Sequence, residues 1–177
     1  MGGFTGLLLA QRHPQHVGRL LIVDSLPFFS ALMSPTATVE SVRPQAVAMR
    51  DAIAAMDADT FESQQAMTLP RMVKSPDGLK TALAWSKASD RPTVGRTMYD
   101  LMTTDARPGL AAMKTPVTVL YPFDPAMGAP TAMVDGLYGS AYAPLPGVAL
   151  KRIDGARHFI MLDEPQAFTA AVEAFLR

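Results

Sequence analysis

The chain has 177 residues, 49% of them apolar and 18% charged, with 12 Gly, 15 Pro and no Cys. Sixteen basic and sixteen acidic residues cancel to a formal net charge of zero. That balance excludes a disordered tail and a basic surface for nucleic acid or anionic membrane, and the lack of cysteine excludes disulfides, thiolate zinc sites and thiol nucleophiles. The longest apolar runs, Leu7 to Ala10 and Leu20 to Val23, are too short to cross a bilayer. The opening residues lack the charged-then-apolar build of a secretory signal, and Gly6 stands where myristoylation needs Ser or Thr. A cytoplasmic location is the expectation. The three histidines, His13, His16 and His158, do not pair at the spacing of a helical metal site. The length suits one ordinary domain with a substantial core.

In chain order, Gly3 to Arg12 reads as a buried helix, with Gly2, Gly3 and Gly6 permitting close packing at its start and Pro14 stopping it. Arg19 to Asp24 holds an unbroken apolar run, which predicts a strand covered on both faces. Four helical segments follow: roughly Val39 to Met56, Thr60 to Met72, Asp77 to Ala88 and Thr93 to Met102. The first carries Val39, Val42, Ala46, Met49, Ile53 and Met56 at three- and four-residue steps. No strand pattern interrupts them, and eight of the twelve methionines fall between Met33 and Met113. Most of these are core. Methionine also adapts to lipophilic ligands, so Met33, Met49, Met67, Met98 and Met102 are candidates for a pocket wall. Trp85 reads as a helix-packing anchor.

Pro116 to Tyr121 and Val148 to Ile153 are strand candidates, separated by a helix over Ala129 to Tyr138. Asp163 to Leu176 reads as a last helix, with Asp163 as N-cap, Gln166 at capping-box spacing, and a buried stripe of Phe168, Val172, Phe175 and Leu176. Strands alternating with helices imply a parallel α/β sheet. Three strands alone leave an edge with unpaired backbone groups, so the expected object is the back part of a larger sheet.

Three segments carry a family resemblance. Met1-Gly2-Gly3 leads into an apolar helix and then a strand ending at Asp24. Thr115 to Asp124, TPVTVLYPFD, is a strand ending in an acid. Gly155 to Pro165, GARHFIMLDEP, places His158 in a loop before the last helix. Together they resemble the α/β-hydrolases, whose nucleophilic serine sits on a strand-to-helix elbow, often within G-x-S-M-G-G. The resemblance implies an α/β fold in part, with three parallel strands and flanking helices. The core would be residues 1–25 and 110–177, with an inserted helical cap, or lid, over 26–109. It implies a Ser-His-Asp relay in which His158 is base and then acid, Asp124 orients the imidazole, and the backbone N–H at Met1 donates to the oxyanion. Asp24 also ends a strand, and some family members place the acid there. The expected serine would fall one residue before Met1. Ser25, Ser30 and Ser140 lie in no G-x-S-x-G frame, so this chain alone is expected to be inactive.

The implied reaction is hydrolysis of an ester or similar acyl bond in a small, mostly apolar substrate, with no cofactor and no metal. Two alternatives stay open. One is a non-catalytic fragment or binding protein that pairs through its sheet edge, as a homo-oligomer or with a complementing chain. The other is a hydrolase-fold enzyme of different chemistry, such as a dehalogenase, epoxide hydrolase or lyase. His13 and His16 read as surface residues, and Asp154 as a turn residue.

Overall fold

The computed structural model describes residues 1–177. Three strands, β1 (Leu20–Val23), β2 (Val117–Phe123) and β3 (Ala149–Asp154), form one parallel sheet in the order β1-β2-β3. Helix α1 (Gly2–Arg12) precedes β1. Four helices, α2 (Val39–Ala55), α3 (Ala58–Thr68), α4 (Pro76–Lys87) and α5 (Arg91–Thr103), fill the crossover from β1 to β2. Helix α6 (Thr131–Tyr142) makes the crossover from β2 to β3, and a single turn, α7 (Ile160–Asp163), leads into α8 (Pro165–Leu176). No helix is long and apolar enough to cross a membrane.

Period-two alternation decides which face each strand residue serves. Ile22, Val119 and Tyr121 face α1 and α6, where they bury against Leu7, Ala10, Tyr138 and Tyr142. Leu120 and Ile153 face the other way, against Ala156, Ile160 and Ala171 of α8. Leu21 and Val23 pack on the margin of this second layer and, like Leu20 on the first face, stay half-buried, so Ile22 alone of β1 is fully covered. The reason is its edge position, with β2 on one side and no strand on the other. Gly3 and Gly6 let α1 lie close on β1, since a Cβ at either would stand 2.7 Å from Ile22 or Leu20 side-chain carbons.

The helical block is held by capping and by two apolar clusters, one at Phe28 and one at Leu69, Val73 and Ala82. Thr38 and Ser41 cap α2 reciprocally, and Asp57 and Asp90 accept the third amide of α3 and α5. Phe28, fully buried, packs with Ala37 and Val42, while the Arg107 guanidinium lies 4.5 Å from its ring centroid. Arg107 in turn grips Asp105 and donates to the Ala37 carbonyl.

Two expectations about the last helix are corrected. Asp163 is not its N-cap: α8 begins at Pro165, which suits the first helical position and leaves Glu164 as the capping residue without a side-chain cap bond. The buried stripe centres on Ala171 and the half-covered Phe168, while Leu176 is exposed. Trp85 is likewise no buried anchor. It is 51% exposed, and its ring meets that of Phe159 edge-on, at 6.1 Å between centroids.

Candidate active site

Parallel strands end at the same rim, so β1, β2 and β3 deliver Asp24, Asp124 and the 155–158 loop to one place. The backbone pairing continues one residue past β1 and β3. Asp24 N–H donates to the Leu120 carbonyl at 2.8 Å, and Gly155 N–H to the Phe123 carbonyl at 2.7 Å. Asp24 then turns out of the sheet with φ of 43°, the one non-glycine residue in the left-handed region. Gly155 turns the chain after β3 at φ of 85°, a conformation that L side chains rarely adopt. His158 and Asp24 meet there: His158 Nδ1 lies 2.6 Å from Asp24 Oδ2. The Tyr138 hydroxyl donates to the other oxygen, Asp24 Oδ1. Burial, reinforced by the Asp24 charge and hydrogen bond, pushes the Tyr138 phenol above its ordinary value, so it is a donor at neutral pH. The Tyr142 hydroxyl donates at 2.5 Å to the Ser25 carbonyl, fixing the backbone just after Asp24.

Asp124 does not contact His158, in contrast to the pairing the resemblance implies. Its side chain is only 7% exposed and is fully engaged elsewhere. Oδ2 accepts the Arg157 Nε–H at 2.8 Å, and Oδ1 accepts the Ala126 amide at 3.0 Å. The physical reason is the neighbour of the histidine. Arg157 reaches Asp124 with its long side chain, leaving the imidazole of the next residue to face Asp24. Neither Tyr138 nor Arg157 belongs to a sequence motif. The four-residue spacing of Tyr138 and Tyr142 on one helix face was a signal for a polar pair beneath a site; Arg157 gave no such signal.

Burial alone would push the Asp124 carboxyl up, but the Arg157 guanidinium and the Ala126 amide outweigh it and hold the group below the ordinary carboxylate range. A carboxylate depressed in the folded state contributes stability above its unfolded value, about 3.9, and loses it as pH falls through the lower folded value. Asp124→Asn is therefore expected to lower the melting temperature near neutral pH. The gap to wild type should close as melts are repeated below about pH 4. A gap independent of pH would show that the ion pair carries none of it.

Asp24, Asp124, Tyr138, Arg157 and His158 line one cavity of about 270 Å³ with Arg71 and apolar walls that include Leu32, Phe123, Met127 and Leu137. No serine lines it. Ser25 presents its carbonyl to Tyr142, Ser30 is buried and donates to the Met102 carbonyl at 2.8 Å, and Ser140 lines a different cavity, beside Phe28. Met1 caps α1 and lies outside the cavity lining, although its half-buried amine, lowered by burial, feels the opposing Asp24 charge. Of the methionines marked for a pocket wall, none lines this cavity: Met102 is fully buried and Met33 and Met67 are exposed. His13 and His16 are exposed, and Asp154 pairs with Arg152. No group of His, Asp and Glu is arranged to hold a metal ion.

The second anchor of the site comes from the segment between α3 and α4. Asp163 accepts the Lys74 and Ser75 amides at 2.9 and 3.0 Å and the Arg157 amide at 2.9 Å. Phe159 N–H donates to the Met72 carbonyl at 3.0 Å, and Arg157 Nη1 donates to the Pro70 carbonyl. The histidine loop is thus bound to the helical block on both sides of His158.

The chain is similar over its whole length to the pimeloyl-[acyl-carrier protein] methyl ester esterase of Aromatoleum aromaticum, with 26% identity, covering 71% of that protein. Its fold is similar to that of an enol-lactonase from Burkholderia xenovorans LB400, with a TM-score of 0.73 and 22% identity over 99% of this chain and 62% of that one. It is also similar to a hydrolase from Pseudomonas aeruginosa PA01, with a TM-score of 0.76 and 21% identity over 98% of this chain and 61% of that one. The chain therefore spans less than two thirds of the length of these two solved relatives. The model of the Alpha/beta hydrolase family matches residues 1–172, and the chain belongs to that family.

Proposed function

We propose that this chain carries the base and the acid of a serine-type esterase, acting on an ester or similar acyl bond in a small substrate. The observation that carries the reading is the 2.6 Å bond between His158 Nδ1 and Asp24, on the rim of an apolar-walled cavity. A carboxylate on Nδ1 fixes the tautomer that leaves Nε2 free to take a proton. Nε2 makes no hydrogen bond within the chain. Given a serine nucleophile at the cavity, it removes the serine proton and returns it to the leaving alcohol. Asp24 stabilises the imidazolium that forms between these steps. Asp124 serves through Arg157, and the backbone N–H at position 1 donates to the oxyanion at the positive end of α1. Residues 26–109 act as the cap over this core. The methyl ester esterase likeness favours an ester as the bond broken.

With no serine in the cavity, the 177-residue chain alone should not hydrolyse p-nitrophenyl butyrate. Turnover by this chain that His158→Ala abolishes would overturn that expectation. In a form of the protein that carries the nucleophile, His158→Ala should lower kcat/KM by about 10³-fold or more. Undiminished turnover would remove His158 from the mechanism.

A further inference from the structure

We propose that the cavity at His158 takes a substrate bearing a free carboxylate at the end of an apolar segment, and that Arg71 holds that carboxylate. The inference rests on the esterase reading and narrows its substrate class. The accounting of polar groups in the cavity carries it. Asp24 accepts from His158 and Tyr138, and Asp124 from Arg157 and Ala126. Arg157 is shared between Asp124 and the Pro70 carbonyl. Two side-chain groups lining the cavity remain without a partner in the chain: His158 Nε2 and the Arg71 guanidinium. The first is poised for proton transfer. The second offers a planar fork of donors that matches a carboxylate.

Arg71 is also fixed relative to the histidine. Its neighbours Pro70 and Met72 present their carbonyls to Arg157 and Phe159, the two neighbours of His158. The backbone position of one residue therefore sets that of the other. Between them the walls are apolar, and Leu32 and Met127 line the cavity while remaining about half exposed. Exposed apolar side chains beside one unpaired cation suit an amphiphilic monoanion. A dianion such as a phosphate monoester fits less well, because two carboxylates already line the cavity and a single guanidinium is free.

The test needs no turnover. Hexanoate and its neutral counterpart hexanamide are titrated against the 177-residue chain, with the His158 imidazole NMR signals as readout. Hexanoate should bind at least tenfold more tightly than hexanamide. Arg71→Gln should abolish that preference and Arg71→Lys should keep part of it, with melting temperatures unchanged because the side chain is exposed. Equal affinity for the two ligands in wild type, or an undiminished preference in Arg71→Gln, would overturn the proposal. His158→Ala, followed by calorimetry, should retain the preference. A nucleophile-bearing form that hydrolyses nothing, while the preference persists, would count against the base and leave the carboxylate anchor standing.

Discussion

Asp24→Asn is expected to lower kcat/KM, in a form of the protein supplied with a serine nucleophile, by about 10⁴-fold, some 5.5 kcal/mol of transition-state stabilisation. Asp124→Asn should cost less than about tenfold. The asymmetry follows from what each carboxylate touches. An amide at position 24 can still accept from the Tyr138 hydroxyl through its oxygen. Its nitrogen then faces His158 Nδ1 and donates to it. The imidazole responds by carrying its proton on Nε2, the atom that receives one in the proposed relay, so the ring is held in the wrong tautomer for it. At position 124 the loss falls on Arg157, which keeps the Pro70 carbonyl as a partner. Steady-state kinetics of the two variants, with the His158 ring-proton spectrum of each, decide the matter. Equal losses, or a greater loss for Asp124→Asn, would return the acid to the end of β2.

Phe28→Ala is expected to destabilise the chain by about 3–5 kcal/mol, the range for removing a fully buried aromatic ring. Phe28 sits where three stretches meet: the chain leaving β1, the start of α2, and the return from α5 to β2. Around it the Ala106 amide donates to the Pro27 carbonyl at 2.9 Å, and Ser30 reaches back to Met102. Removing the ring also takes away the apolar surface beneath the Arg107 guanidinium, 4.5 Å from its centroid. Hydrogen exchange should show α2 and α5 amides opening before those of β2. Uniform loss of protection through both parts would show that the block has no separate seam with the sheet. A loss below about 1 kcal/mol would show that the site collapses to fill the space.

The α/β alternation, the uninterrupted run of four helices and the His158 loop were legible because each rests on local pattern: apolar periodicity, Pro and Gly punctuation, and a histidine after a strand and a glycine. Which carboxylate meets His158 was not. Asp24 and Asp124 both end parallel strands, and nothing in their flanking residues separates them. The choice depends on a left-handed turn at Asp24 and on where the Arg157 side chain goes, both tertiary facts. Asp163 shows the same limit. Its spacing to Gln166 is that of a capping box, yet Pro165 starts the helix later and frees the carboxylate to gather three amides from two distant segments. Arg71 belongs to no motif at all; only the cavity shows that its charge lacks a partner.

The bonds that bracket His158 and Arg71 bear on how such proteins diversify. Exchanging the helices between relatives while keeping the sheet would tear the imidazole loop from its footing unless residues 70–75 travelled with their counterparts at 157, 159 and 163. Recombination at the block's two junctions with the sheet should therefore often yield folded chains with a misplaced imidazole. Crossovers that keep those two stretches from the same parent should preserve the reacting geometry while varying everything around it.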